Sequence, residues 1–215
     1  MITVLDTGLG NLLSVTKALE KVSCGRKVLV SDRAADLEDS SHIVLPGVGN
    51  FRVGMHNLRE MGLIEPLRKQ VQEIKKPFLG ICLGMQLLVE TGEESGECEG
   101  LGFIEGKARR LESNGLPLPH LGWHDLEISE HKTLFNGVLS GQDYYFVHSF
   151  VLDCPEKYVS AYCTYGEKFV AAVHHENIFG VQFHPEKSRQ AGLDLFSNFL
   201  REEECSKSVW FLSSC

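Results

Sequence analysis

The sequence predicts an α/β fold in three layers, with a mostly parallel central sheet between flanking helices and an antiparallel end. Three observations carry that prediction. Short apolar runs alternate with segments of helical spacing through residues 1–90, the pattern of right-handed βαβ units. Two of those runs, ending at Leu45 and Cys82, stop at glycine-bearing turns, and reactive loops of such folds lie at the carboxyl ends of the strands. Beyond residue 140 the runs are aromatic or β-branched and follow one another closely, as antiparallel strands do.

In order, residues 2–5 form a buried strand, and Asp6-Thr-Gly-Leu-Gly-Asn11 is a turn opening a helix over residues 12–21, with Asn11 as its N-cap. The Gly-x-Gly there lacks the third glycine of a dinucleotide fingerprint, because position 13 is Leu. Residues 27–30 and 43–45 are the next two strands, joined by a polar connection over 32–41 with one short helix. Pro46-Gly-Val-Gly49 leaves the second of these: Pro fixes φ, and the glycines allow an N–H to turn toward a developing oxyanion or away from it. Residues 51–61 and 64–74 have helical spacing, and Lys75-Lys76 suits the second helix end before Pro77 starts the next strand.

Pro77-Phe-Leu-Gly-Ile-Cys82 is a buried strand, and residues 83–90 are good helix formers, which puts Cys82 where strand turns into helix. Gly80 and Gly84 flank it at minus and plus two, where a sharp turn needs residues without a Cβ. This is the sulfur version of G-x-S-x-G. The first N–H groups of the helix then favour thiolate over thiol. A lone cysteine is more often a core thiol; the two glycines argue for a nucleophile, which still requires a base.

Residues 178–183 are an apolar strand ending at His184, with Pro185 forbidding further ladder pairing and Glu186 two residues on. A base that takes the thiol proton and a carboxylate that fixes its tautomer therefore share one strand end. His148, in the aromatic strand 144–150, competes for the role of base, and the company of Glu186 favours His184. Residues 101–111 and 126–128 read as strands, 91–100 as an acidic loop, and 193–203 as an amphipathic final helix. His120 and His124 have the spacing of a helical metal pair, but Pro119 and Gly122 argue against a helix and no carboxylate motif accompanies them, so no metal is expected.

Lys and Arg number 21 against 29 Asp and Glu, a net charge of −8, and no basic cluster suggests a nucleic-acid partner. The seven cysteines form no C-x-x-C pair. No basic leader precedes the first strand, and no apolar run approaches the roughly 20 residues that span a bilayer. A soluble, reducing compartment, the cytoplasm, and no membrane follow as expectations.

Gly80-Ile-Cys82-Leu-Gly84-Met-Gln86 together with Gln182-Phe-His184-Pro-Glu186-Lys-Ser188 resembles the class I glutamine amidotransferases. Leu45-Pro-Gly-Val-Gly49-Asn-Phe51 resembles one branch of them, the glutaminase subunits of imidazole glycerol phosphate synthase, which serve histidine biosynthesis. The resemblance spans about residues 1–203 as one domain and implies that family's fold; residues 204–215 are then a tail, for which disorder is the default. It implies L-glutamine as substrate, no cofactor, and a (β/α)8 cyclase subunit as partner in a heterodimer. Cys82, His184 and Glu186 would be the catalytic triad. Val48 and Gly49 would form a movable oxyanion loop with the Leu83 N–H. Gly47, Gln86, Glu94 and the backbone of Ser149 and Phe150 would bind glutamine. Asn11, Trp123, Tyr145 and Lys187 would meet the partner, Lys187 through an acidic residue there. His124 stands where that branch usually has Asn, and Thr7 and Leu13 where it often has an aromatic and a basic residue. A glutaminase paralogue feeding another synthase would show such drift around an intact triad. A stand-alone γ-glutamyl cysteine hydrolase would be active alone, and an idle regulatory subunit would be silent.

Overall fold

The computed structural model describes residues 1–202; the expected tail and the last residue of the expected final helix lie outside the described residues. The first half of the chain runs β1 (Ile2–Leu5), α1 (Leu12–Val22), β2 (Val28–Ser31), α2 (Ala34–Glu38), β3 (His42–Gly47), α3 (Phe51–Glu60), α4 (Ile64–Arg68), β4 (Phe78–Cys82) and α5 (Leu83–Gln86). There follow β5 (Thr91–Gly92), β6 (Cys98–Glu99), β7 (Lys107–Arg110), β8 (His120–Asp125), β9 (Glu127–Ile128), β10 (Asp143–His148), β11 (Phe150–Asp153), β12 (Val159–Tyr165), β13 (Glu167–His175), β14 (Ile178–Val181) and α6 (Arg189–Phe199).

The main sheet has the order β2-β1-β3-β4-β14-β13-β11-β7-β5-β6, with β12 attached to β13 and β9. From β2 to β14 every pairing is parallel; β14 turns antiparallel onto β13, and the end that follows is antiparallel except where β5 pairs with β7. Strands β1, β3 and β4 are buried along their whole length, as strands covered on both faces must be. One face carries Val15 and Leu19 of α1 with Leu195, Phe196 and Phe199 of α6. The other carries Met55 and Leu58 of α3, Leu67 of α4 and Met85 of α5. The three-layer expectation holds, and the parallel block delivers the ends of β3, β4 and β14 to one edge.

Five local expectations need correction. The helix expected over residues 83–90 is helical only to Gln86, because the next residues bond to the following loop: Leu101 donates to Leu87 O at 2.9 Å, Phe103 to Leu88 O at 2.8 Å and Gly100 to Glu90 O at 2.8 Å. For the same reason residues 101–106 are not strand, and only Lys107–Arg110 is. His120–Asp125, read as a connection between strands, is itself a strand, paired in register with β10 from His120↔His148 to Asp125↔Asp143. The strand expected over 144–150 breaks at Ser149, where the chain leaves the β8–β10 pair and joins β7 and β13 as β11. The final helix begins at Arg189, not at residue 193, and its Gly192 is obligatory: a Cβ there would lie 1.8 Å from Pro185 O.

Candidate active site

Cys82 is the last residue of β4 and sits at φ 54°, ψ −108°, a conformation that costs a non-glycine residue about 1–3 kcal/mol. The flanking glycines are what permit it. A Cβ on Gly84 would lie 1.8 Å from Leu45 O, and one on Gly80 would lie 2.5 Å from Gly84 O. The tight turn reads as the sequence indicates, but only one helical turn stands behind it, so the N–H groups supplied locally by the start of α5 matter here more than a long dipole.

His184 follows β14, which pairs directly with β4. Its Nδ1 lies 2.8 Å from Glu186 Oε1, and the two side chains are 3% and 2% exposed. The His184 backbone is clamped as well: its N–H donates to Tyr145 O at 2.8 Å, and Ser188 Oγ donates to its carbonyl at 2.6 Å while accepting from Tyr145 N at 3.1 Å. Burial works against charge on the imidazole, yet interaction with Cys82 and with the Glu186 carboxylate pushes its pKa up to about 10. Among the described residues Nε2 has no hydrogen-bond partner, and the thiol is turned to Val147 O at 3.8 Å. Base and nucleophile thus stand at the ends of two paired strands, β14 and β4, and the imidazole interacts with Cys82.

His148 is not a rival base. Its Nδ1 donates to Phe150 O at 3.0 Å, so its Nε2 is left to accept from His120 Nδ1 at 2.9 Å. Burial lowers the His148 pKa to about 4 and, with His148 and His124 nearby, that of His120 to about 3.

A cavity of about 460 Å³ opens in front of the sulfur, and Val48, Gly49, Cys82, Leu83, Gln86, Glu94, Ser149 and Phe150 stand on its wall. Gly47 is paired in register with Cys82, and a Cβ there would be tight, 3.0 Å from Leu83 Cβ. His184 and Glu186 are buried and do not stand on that wall. Gln86 uses its amide protons inward, toward Phe150 O at 3.0 Å and Gln182 Oε1 at 3.1 Å, so its carbonyl oxygen is the group left for a ligand. Glu94 Oε2 accepts from Phe51 N at 2.8 Å, which ties the acidic loop to the start of α3.

The residues expected at a partner surface divide into two places. Trp123, Tyr145 and Lys187 form one cluster: Trp123 and Tyr145 meet edge to face at 5.8 Å, Lys187 Nζ lies 5.4 Å over Tyr145, and Arg189 stacks on Trp123 at 4.8 Å. Asn11 caps α1 by accepting from Ser14 N at 3.3 Å, in a turn whose Gly10 packs on Gly47. Sequence reading gave no role to Gln182, Ser188 or the His120–His148 pair. Gln182 and Ser188 fall within the motif already quoted, and a polar residue inside an apolar strand was the available signal.

Residues 3–202 match the family model Glutamine amidotransferase class-I. The chain is 49% identical over 202 residues to Imidazole glycerol phosphate synthase subunit HisH 1 of Campylobacter jejuni strain RM1221, covering 94% of this chain and 100% of that one. It is 42% identical to subunit HisH of Moorella thermoacetica, over 92% and 93% of the two chains. In fold it is similar to a solved glutamine amidotransferase, with TM-score 0.74 at 22% identity over 94% and 98% of the chains. It is likewise similar to the PurLQS structure from Thermotoga maritima, with TM-score 0.70 at 20% identity over 93% and 97%. With an elbow cysteine, a buried His–Glu pair and near-full-length relatives in agreement, the chain belongs to the class I glutamine amidotransferases, in their HisH family.

Proposed function

We propose that this chain, as one domain over residues 1–203, hydrolyses L-glutamine to glutamate through a thioester on Cys82 and hands the ammonia to a synthase subunit of the (β/α)8 cyclase type. The observation that carries the reading is the Cys82 elbow on the wall of a cavity, with a buried His184–Glu186 pair after the strand that pairs with its own. Glutamine's ammonium suits the Gln86 carbonyl oxygen and the free oxygen of Glu94, and its carboxylate suits the backbone of Ser149 and Phe150. Sγ attacks the side-chain amide carbon with the thiol proton already held on His184; the Leu83 N–H and the Val48–Gly49 loop receive the oxyanion. The amine leaves with the proton from His184, and water attacks the thioester with His184 again as base. The triad needs no metal or cofactor for these steps.

Free ammonia is protonated and lost in neutral water, which favours a sealed route to an acceptor. Docking surface is available: Leu13, Val48, Leu121 and Trp123 are large apolar side chains left exposed, Trp123 under the cation Arg189 and next to Tyr145, over which Lys187 lies. A net charge of −8 disfavours nucleic acid, no helix of the described residues is long and apolar enough to cross a membrane, and the free cysteines suit the cytoplasm. The test is glutamate release by the purified chain, alone and with a cyclase subunit and its phosphoribosyl ligand. Strong stimulation by the pair is expected. Equal activity alone would make the chain a free-standing hydrolase, and silence in both would remove the cyclase as partner.

A further inference from the structure

Among the described residues the sulfur of Cys82 has two hydrogen-bonded neighbours, and neither is the base. The thiol donates to Val147 O at 3.8 Å, and the side-chain amide of Gln182 donates to the sulfur at 3.7 Å. Gln182 sits between β14 and His184 with no exposed surface, so its amide has to be satisfied within the protein. Its Oε1 accepts from Gln86 Nε2 at 3.1 Å. The direction of the whole chain is set at its far end. Phe150 O can only accept, so the group 3.0 Å from it must be the Gln86 NH2; the second proton of that NH2 goes to Gln182 Oε1, and Gln182 is left facing the sulfur with its own NH2.

We propose that Gln182 is a positioning residue for the nucleophile, linking the glutamine-binding wall to the sulfur through Phe150, Gln86 and Gln182. A carbonyl such as Val147 O can hold a thiol but opposes a thiolate. An N–H donor does the reverse, because its bond strengthens when the acceptor becomes charged. Gln182 therefore favours the attacking form and keeps Sγ aimed at the cavity while the proton leaves for His184. The other titratable groups around the sulfur are His184 with Glu186 from the turn after β14, neutral His148 from β10, and Glu94 on the cavity wall. The inference rests on Cys82 being the nucleophile of the proposed function.

The experiment is the rate of iodoacetamide alkylation of Cys82 against pH in the full chain. It is read on the peptide that contains Cys82, for wild type, Gln182→Met and Gln182→Glu, with thermal melts and glutaminase kinetics alongside. Gln182→Met is expected to alkylate about tenfold more slowly near neutral pH, the worth of one charge-assisted hydrogen bond. Its curve should move to higher pH, and its kcat should fall far more than its KM for glutamine rises. Gln182→Glu keeps the shape and the bond from Gln86 but puts an acceptor against the sulfur, so its curve should move further in the same direction; it carries the test if Gln182→Met does not fold. Folded variants that alkylate on the wild-type curve would overturn the proposal, as would a loss confined to KM. A wild-type chain that alkylates at Cys82 but hydrolyses no glutamine, even with the cyclase subunit and its phosphoribosyl ligand present, would overturn the proposed function, while the Gln182 comparison would still be readable.

Discussion

His184 Nδ1 and Glu186 Oε1 are 2.8 Å apart in a place where neither side chain meets more than a trace of solvent. Two residues of one short turn, Pro185–Lys187 and the strand end before it, thus supply base and orienter without help from another element. Replacing Glu186 with Gln keeps the shape but removes the charge and the tautomer control. The expected result is a kcat lower by roughly 10²–10⁴, as for other orienting carboxylates, with the KM for glutamine little changed. Steady-state glutaminase kinetics check it.

The imidazole of this pair, held charged by Cys82 first and by Glu186 with it, gives the stability a pH dependence of definite sign. The His184 pKa is raised to about 10, so the stabilisation from its charged form is fully present below the ordinary histidine value and is lost as pH rises through about 10. Wild-type melting temperature should therefore fall on going from pH 7 to pH 10, and Glu186→Gln should flatten that fall. A parallel decline in both proteins would show that the pair is not its source.

The His120–His148 pair acts at the other end of the pH scale. Their pKa values are depressed to about 3 and about 4, so the unfolded chain takes up protons that the folded one refuses as pH drops below the ordinary value. Each costs about 2 kcal/mol between pH 6.5 and 5, at 1.36 kcal/mol for each unit. Urea unfolding at those two pH values should show the loss, and His120→Phe, which stays flanked by Phe146 and Tyr165, should reduce it.

Gly84 cannot accept a methyl group, since the nearest atom would be the Leu45 carbonyl oxygen at 1.8 Å, part of the neighbouring strand's backbone. Gly84→Ala is expected to destabilise by about 3 kcal/mol or more, at the upper end of overpacking costs. Gly62→Ala, where the conformation is left-handed but the space is open, should cost less. Chemical denaturation of the two variants makes the comparison.

The strain at Cys82 is separable from its chemistry. Cys82→Ala and Cys82→Gly should both be inactive, but glycine relieves a left-handed conformation that alanine retains. Cys82→Gly should be at least as stable as Cys82→Ala, against the usual rule that glycine in place of alanine destabilises.

The elbow and the triad were legible because each needs unusual residues at fixed short spacing: Gly80 and Gly84 around Cys82, and Pro185 and Glu186 after His184. The parallel block was legible because buried strands read as unbroken apolar runs. What escaped depends on contacts between segments. The end of the elbow helix at Gln86 follows from a loop over residues 100–106 bonding to the residues just after it. The His120–His148 bond requires the β8–β10 register, which joins residues 28 apart in sequence. Gln182 acquires its role only when β14 lies beside β4 and brings its amide to the sulfur.

The central claim is a covalent glutamyl intermediate on Cys82, and acid quenching during turnover of isotopically labelled glutamine, in the presence of the cyclase subunit, tests it most directly. The account predicts label on the peptide containing Cys82, lost on mild alkaline hydrolysis and absent from Cys82→Ala. Glutamate production persisting in Cys82→Ala, or the label residing on another residue, would contradict it.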